Sequence, residues 1–90
     1  MYKPVYSSRF KKDVQLALKR GKELDKLTAV IESLCSGYPL PGHYRDHPLS
    51  GEYSGFRDCH IEPDWILIYR IEGNQLQLIL ARTGTHSDLF

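Results

Sequence analysis

The run Trp65 to Ile71 is strongly β-forming, with Trp65, Leu67, Tyr69 and Ile71 on one side and Ile66, Ile68 and Arg70 on the other. Ahead of it, Ser54 to Ile61 also reads as a strand: Phe56, Asp58 and His60 share one face, and Arg57, Cys59 and Ile61 the other. Glu62-Pro63-Asp64 links the two. Glu72-Gly73-Asn74 then predicts a hairpin turn and Gln75 to Arg82 a further strand, before the tail T-G-T-H-S-D-L-F turns at Gly84 and presents His86 and Phe90. Upstream, Tyr2 to Tyr6 predicts a first strand, with Pro4 tolerated near its start or at a sheet edge. Ser7 or Ser8 offers a helix N-cap, and Phe10, Val14, Leu16, Ala17 and Leu18 recur with roughly helical spacing until Gly21. A second helix resumes at Lys22, carries Leu24, Leu27, Ile31, Leu34 and Cys35, and stops at Ser36-Gly37 before Pro39. Tyr38 to Gly55, broken by prolines and glycines, predicts a long irregular loop. The order strand, helix, helix, three strands predicts an α+β fold with two N-terminal helices packed on one face of a small sheet.

Composition adds limits to this picture. Ninety residues support one hydrophobic core, so residues 1–90 are expected to form a single domain. The apolar share of 41% and charged share of 26% exclude a disordered chain. The net charge of +1 conceals an asymmetry: eight lysines and arginines stand against four acids up to residue 40, and four against seven beyond it. Lys11, Lys12, Lys19 and Lys22 on the helices are therefore candidate phosphate contacts, although a solvated helix surface would use the same residues. Cys35 and Cys59 have no metal-ligand or redox spacing and suit the reducing cytosol. No apolar leader or membrane-span run is present in the sequence.

Candidate chemistry gathers in the second half. Nucleotide-binding glycine motifs, zincin motifs and cysteine clusters are absent, and the four histidines match no strong metal spacing, so no cofactor is expected. Cleavage of RNA without a metal needs a base for the ribose 2′-hydroxyl, an acid for the leaving 5′-oxygen and cations for the phosphate. His47, His60, Asp64 and His86 can make the proton transfers, and Arg82 can support the charge. The loop residues His43, Tyr44 and Arg45 can hydrogen-bond phosphate. Trp65 could stack on a base, but a tryptophan opening an apolar strand is more often core. A plain antiparallel hairpin would explain the same window without catalysis.

Three ordered motifs carry a resemblance: Y-R-D-H-P-L at 44–49, G-F-R-D-C-H-I-E-P-D-W-I-L-I-Y at 55–69 and R-T-G-T-H-S-D-L-F at 82–90. Together they closely resemble the YafQ branch of the RelE-like bacterial toxins, the ribosome-dependent mRNA interferases of type II toxin–antitoxin modules. The resemblance implies a RelE-like microbial ribonuclease fold with a mostly antiparallel sheet. It also implies cleavage of mRNA in the ribosomal A site by 2′-hydroxyl attack, with a preference for adenine-rich codons. His47, His60, Asp64 and His86 match the active constellation, with Phe90 helping to set the substrate. His86 is then the general acid, either His47 or Asp64 the base, and His60 an orienting or phosphate-stabilising group, with Arg82 neutralising charge. The lysine-bearing helices would face ribosomal RNA, and Tyr44 and Arg45 the RNA. The implied partners are a cognate antitoxin, the 70S ribosome with its mRNA and, in complex with the antitoxin, operator DNA; the implied setting is the cytoplasm, with no membrane partner.

Overall fold

The structure, a computed structural model, describes residues 1–90. The chain runs β1 (Lys3–Tyr6), α1 (Ser8–Lys19), α2 (Leu24–Cys35), β2 (His47–Pro48), β3 (Arg57–Glu62), β4 (Trp65–Glu72), β5 (Gln77–Gly84) and α3 (His86–Leu89). Five strands form one sheet in the order β1-β5-β4-β3-β2, with β1 parallel to β5 and every other pairing antiparallel. Pro4 is accommodated because β1 is an edge strand, where a missing N–H leaves no central ladder partner unpaired.

Local chemistry sets both ends of α1. Ser7 caps α1 by accepting from Phe10 N–H at 3.0 Å, a contact whose loss typically costs about 1 kcal/mol. Gly21 takes φ +81, Lys22 N–H donates to Ala17 carbonyl at 3.0 Å and Gly21 N–H to Leu18 carbonyl at 3.0 Å, which together form a Schellman ending. Phe10 and Ala17 of α1 and Leu27, Val30 and Leu34 of α2 bury against Cys59, Trp65, Leu67, Tyr69, Leu78 and Leu80 of the sheet. Leu16 and Leu18, grouped by the sequence with the buried stripe, stand exposed: on a 3.6-residue period they fall to either side of Ala17.

The opposite sheet face carries a second, smaller cluster. Ile66 and Ile68 meet Leu89 of α3, and Leu49, Tyr53, Phe56 and Ala81 pack around them. The expected structureless loop is thus divided between the two faces, Leu40 and Tyr44 packing on the main core and Leu49 and Tyr53 here, and it contains the short strand β2 and single 3-10 turns at Gly42–Tyr44 and Gly51–Tyr53. The tail, expected only to turn, winds into α3. Its Thr85 side chain accepts from Asp88 N–H while Asp88 accepts from Thr85 N–H, a capping box.

Beyond Leu80, β5 has lost its β1 neighbour, and the side chains of the Ser7 cap and of Asp13 in α1 take over the exposed edge. Ser7 Oγ donates to Ala81 carbonyl at 2.9 Å, and Asp13 Oδ2 accepts from Thr83 N–H at 3.1 Å. Asp13 also holds Arg82 through two hydrogen bonds, Nε at 2.7 Å and Nη2 at 3.2 Å, with both side chains largely buried. Truncating Asp13 to alanine should cost about 2 kcal/mol, a fall in Tm of roughly 8–16 °C. Removing the stranded charge as well, in Asp13→Ala/Arg82→Leu, should recover part of that loss in thermal melts; a double variant as unstable as the sum of its parts would show no coupling.

Candidate active site

Strand pairing builds the site on the sheet face that the long helices leave free. His47 in β2 lies directly opposite Asp58 in β3, so the two side chains share a face as cross-strand neighbours. His60 follows two residues after Asp58 on the same side and is paired with Ile66. Between His60 and Glu62 the register slips by one residue, a bulge at the strand end that bends β3 toward its hairpin turn.

Two of the histidines are fixed through the same ring atom. His47 Nδ1 lies 2.6 Å from Arg45 carbonyl, and His60 Nδ1 lies 3.1 Å from Pro63 carbonyl. A carbonyl only accepts, so each Nδ1 carries the proton and each neutral ring presents a bare Nε2. His86 is placed differently, by its backbone. Its N–H donates to Asp64 Oδ1 at 2.9 Å at the start of α3, and its ring lies 5.0 Å from that of Phe90. Phe90 in turn meets Tyr53 edge-on at 5.6 Å, and Tyr53 Oη donates to Leu89 carbonyl at 3.4 Å. Below α3, Arg20 grips Asp88 at 2.6 and 3.2 Å, and that hydrogen bond, with the Thr85 backbone, holds the Asp88 carboxyl well below its ordinary range. Gly84 allows the helix to fold back so closely, since a Cβ there would meet Asp88 Oδ2 at 2.9 Å.

Asp58 lies at the centre of this arrangement, 3% exposed. Burial raises its carboxyl pKa, and attraction to His47, His60 and His86 opposes the rise. Its Oδ1 approaches His47 Nδ1 at 3.2 Å, yet the N–H is aligned on Arg45 carbonyl, so Asp58 Oδ1 has no hydrogen-bond donor. A buried, unpaired carboxylate oxygen beside three histidines is costly to fold around, which is the pattern of a functional site rather than of a structural ion pair.

The structure thus brings His47, His60 and His86 around Asp58 and ties Asp64 and Phe90 to His86. Other residues singled out in the sequence lie elsewhere. Arg82 is bound to Asp13 through Nε and Nη2, beside Tyr53, Phe56 and Leu89 in a cavity of about 590 Å³. Lys22 is committed to Glu62 at 2.9 Å, where Lys26 also binds, and lies 5.8 Å from the Trp65 ring centroid. Lys11 lines an apolar groove of about 660 Å³ between α1 and α2, on the helix-covered side, while Lys12 and Lys19 are exposed on α1. Tyr44 packs partly into the main core, and Arg45 is exposed. Trp65 is buried, its Nε1–H donating to Thr83 Oγ1 at 3.0 Å, so it supports the fold and offers no stacking face.

Asp58, Tyr53 and Asp46 did not stand out in the sequence as site residues. Asp58 shares a strand face with His60, and that alternation was the signal for it. Asp46 accepts from Tyr69 Oη at 2.6 Å and Arg57 Nε at 3.1 Å, anchoring the loop immediately before His47; nothing local in the sequence announces that. Cys59 is no nucleophile, since burial pushes its thiol up to about 12. No group of three His, Cys, Asp or Glu side chains is arranged to hold a metal ion.

The family model for YafQ, a bacterial toxin of type II toxin–antitoxin systems, matches residues 2–90. The chain belongs to the YafQ toxin family. The mRNA interferase toxin YafQ of Escherichia coli is 49% identical over 86 residues, covering 94% of this chain and 91% of the relative. A crystal structure of E. coli YafQ superposes with a TM-score of 0.92 at 45% identity, covering 100% of this chain and 99% of that one. YafQ in the E. coli DinJ–YafQ complex superposes at 0.90 with 46% identity and the same coverage. The α+β fold with its helices on a mostly antiparallel sheet is therefore the YafQ fold.

Proposed function

We propose that this chain is a ribosome-dependent mRNA endoribonuclease, the toxin of a type II module, which cuts A-site codons by metal-independent attack of the ribose 2′-oxygen. The observation that carries the reading is the strand pairing that sets His47 opposite Asp58 with His60 on the same face, together with the Asp64 bond that holds His86, beside Phe90, at the end of that face. His47, with Nδ1–H given to Arg45 carbonyl, has Nε2 free to take the 2′-hydroxyl proton. The 2′-oxygen attacks the adjacent phosphorus, the bond to the 5′-oxygen breaks, and protonated His86 supplies the proton to that leaving oxygen, giving a 2′,3′-cyclic phosphate. Asp58 compensates the positive charge that His47 acquires, as a buried carboxylate does for a general-base histidine elsewhere. In its imidazolium form His60, held through Nδ1 on Pro63 carbonyl, donates from Nε2 to a phosphate oxygen, and the guanidinium of Arg82, held by Asp13, adds positive charge from the neighbouring cavity. Asp64 is assigned to placing His86 through its backbone N–H, which favours His47 over Asp64 as the base.

The name of the E. coli relative supports the substrate class, and the DinJ–YafQ complex supports an antitoxin partner. The reading places the protein in the cytoplasm, where ribosomes are, with Lys11, Lys12 and Lys19 toward ribosomal RNA and operator DNA bound only together with the antitoxin. The test is to map the 5′ ends of an mRNA translated in a purified bacterial system. Cuts within A-site codons that need ribosomes and vanish with excess antitoxin are expected. Intact mRNA in an active translation system would overturn the reading in favour of a non-cleaving ribosome binder.

A further inference from the structure

A pocket of about 300 Å³ opens beside the histidine cluster, lined by His43, Arg45, His60, Ile61, Glu62 and Pro63. We propose that it is a second anion subsite, which holds the phosphodiester group flanking the scissile one. The proposal rests on the ribonuclease reading and goes beyond it by naming where the neighbouring nucleotide's charge is held.

Three observations support the assignment. Of the six arginines, four are each bound to a carboxylate, Arg20, Arg57, Arg70 and Arg82, while Arg9 and Arg45 are not, and of those two it is the exposed Arg45 that lines this pocket. The single acid in the lining, Glu62, is neutralised by Lys22 and Lys26, both at 2.9 Å, so the local balance is positive. The pocket is also coupled to the catalytic cluster at two points. His60 forms a wall of it, and Arg45, another of its lining residues, accepts His47 Nδ1–H through its backbone carbonyl.

Arg45 achieves both contacts in a left-handed conformation, φ 52, that a non-glycine residue adopts at a cost. That cost has a use if the residue must direct its carbonyl toward His47 and its guanidinium toward the substrate. RNA carries one negative charge per nucleotide, so a centre that aligns one phosphate must also accommodate the next. A planar guanidinium without a protein partner is the side chain best suited to hold it.

The experiment uses the full chain, ribosomes and mRNAs in which the phosphate on one or the other side of the scissile bond is replaced by an uncharged methylphosphonate. For the wild type, one of the two replacements should slow single-turnover cleavage by about tenfold or more. Arg45→Gln, which keeps a non-glycine residue in the left-handed position, should be slowed comparably on unmodified mRNA and be indifferent to that replacement. Arg45→Lys should restore part of the sensitivity. Because Arg45 also positions His47, the ratio between the two substrates is the deciding quantity; a purely structural role would lower both rates equally. Wild-type cleavage that ignores both replacements, or an Arg45→Gln variant that stays as sensitive as wild type, overturns the subsite and leaves the nuclease standing. Failure of the wild type to cut unmodified mRNA would remove the nuclease reading and the subsite with it.

Discussion

Replacing His86 by alanine is expected to slow ribosome-dependent mRNA cleavage by about 10²–10⁴-fold while leaving thermal stability within about 0.5 kcal/mol of wild type. The two halves of this expectation come from different atoms of one residue. The ring is exposed and meets Phe90, so its removal opens no cavity in the core. The backbone N–H, which alanine retains, makes the bond to Asp64, and the capping box of α3 uses Thr85 and Asp88. The proton role has a sharper check than loss of rate. An mRNA whose leaving 5′-oxygen is replaced by sulfur needs no proton on departure, so His86→Ala should cut it at close to the wild-type rate. If the variant stays equally slow on that substrate, His86 is a binding or positioning group and the acid must be sought elsewhere.

The tail that bears His86 also shows what the sequence made legible. Thr85 and Asp88 stand at the spacing of a capping box, and Gly84 before them permits the close return. The expectation of a simple turn stopped short of the helix because four residues have no period to read. The long helices and β4 were recovered well, since each carries its apolar pattern over three turns or eight residues and is bounded by local signals such as Ser7 and Gly21. Strand β2 was not. It is two residues long, contains Pro48, and exists only through the pairing of His47 with Asp58 and of Pro48 with Arg57, across the intervening loop. Only that pairing makes His47 and Asp58 neighbours. The bulge at Ala81 had a similar effect on β5: the register slips between Ile68 and Tyr69, so Thr83 joins Leu67 on the core side and reaches Trp65. Arg82, assigned from the sequence to support charge on the phosphate, is met by Asp13 from a helix 69 residues earlier, a contact that no local pattern encodes.

Asp58→Asn is expected to make the protein more stable and less active. In the wild type, the carboxylate is buried and one of its oxygens lacks a donor, so its charge is held at a cost that raises the folded-state pKa above the unfolded one. A group shifted in that direction destabilises the fold increasingly as pH rises from the ordinary carboxylate range through the folded pKa, and fully above it. Removing the charge should therefore raise Tm by roughly 4–8 °C near neutral pH, corresponding to about 1 kcal/mol, and the advantage should shrink as the pH is lowered until both proteins carry a neutral group. Cleavage should fall on the order of 10²-fold, because His47 would then gain its proton with no compensating charge beside it. Melting curves across pH and single-turnover rates on the same preparations measure the two effects separately. Their opposite signs are what discriminate: a carboxylate serving the fold would lose stability and activity together, whereas one kept for chemistry at the expense of the fold must trade one against the other.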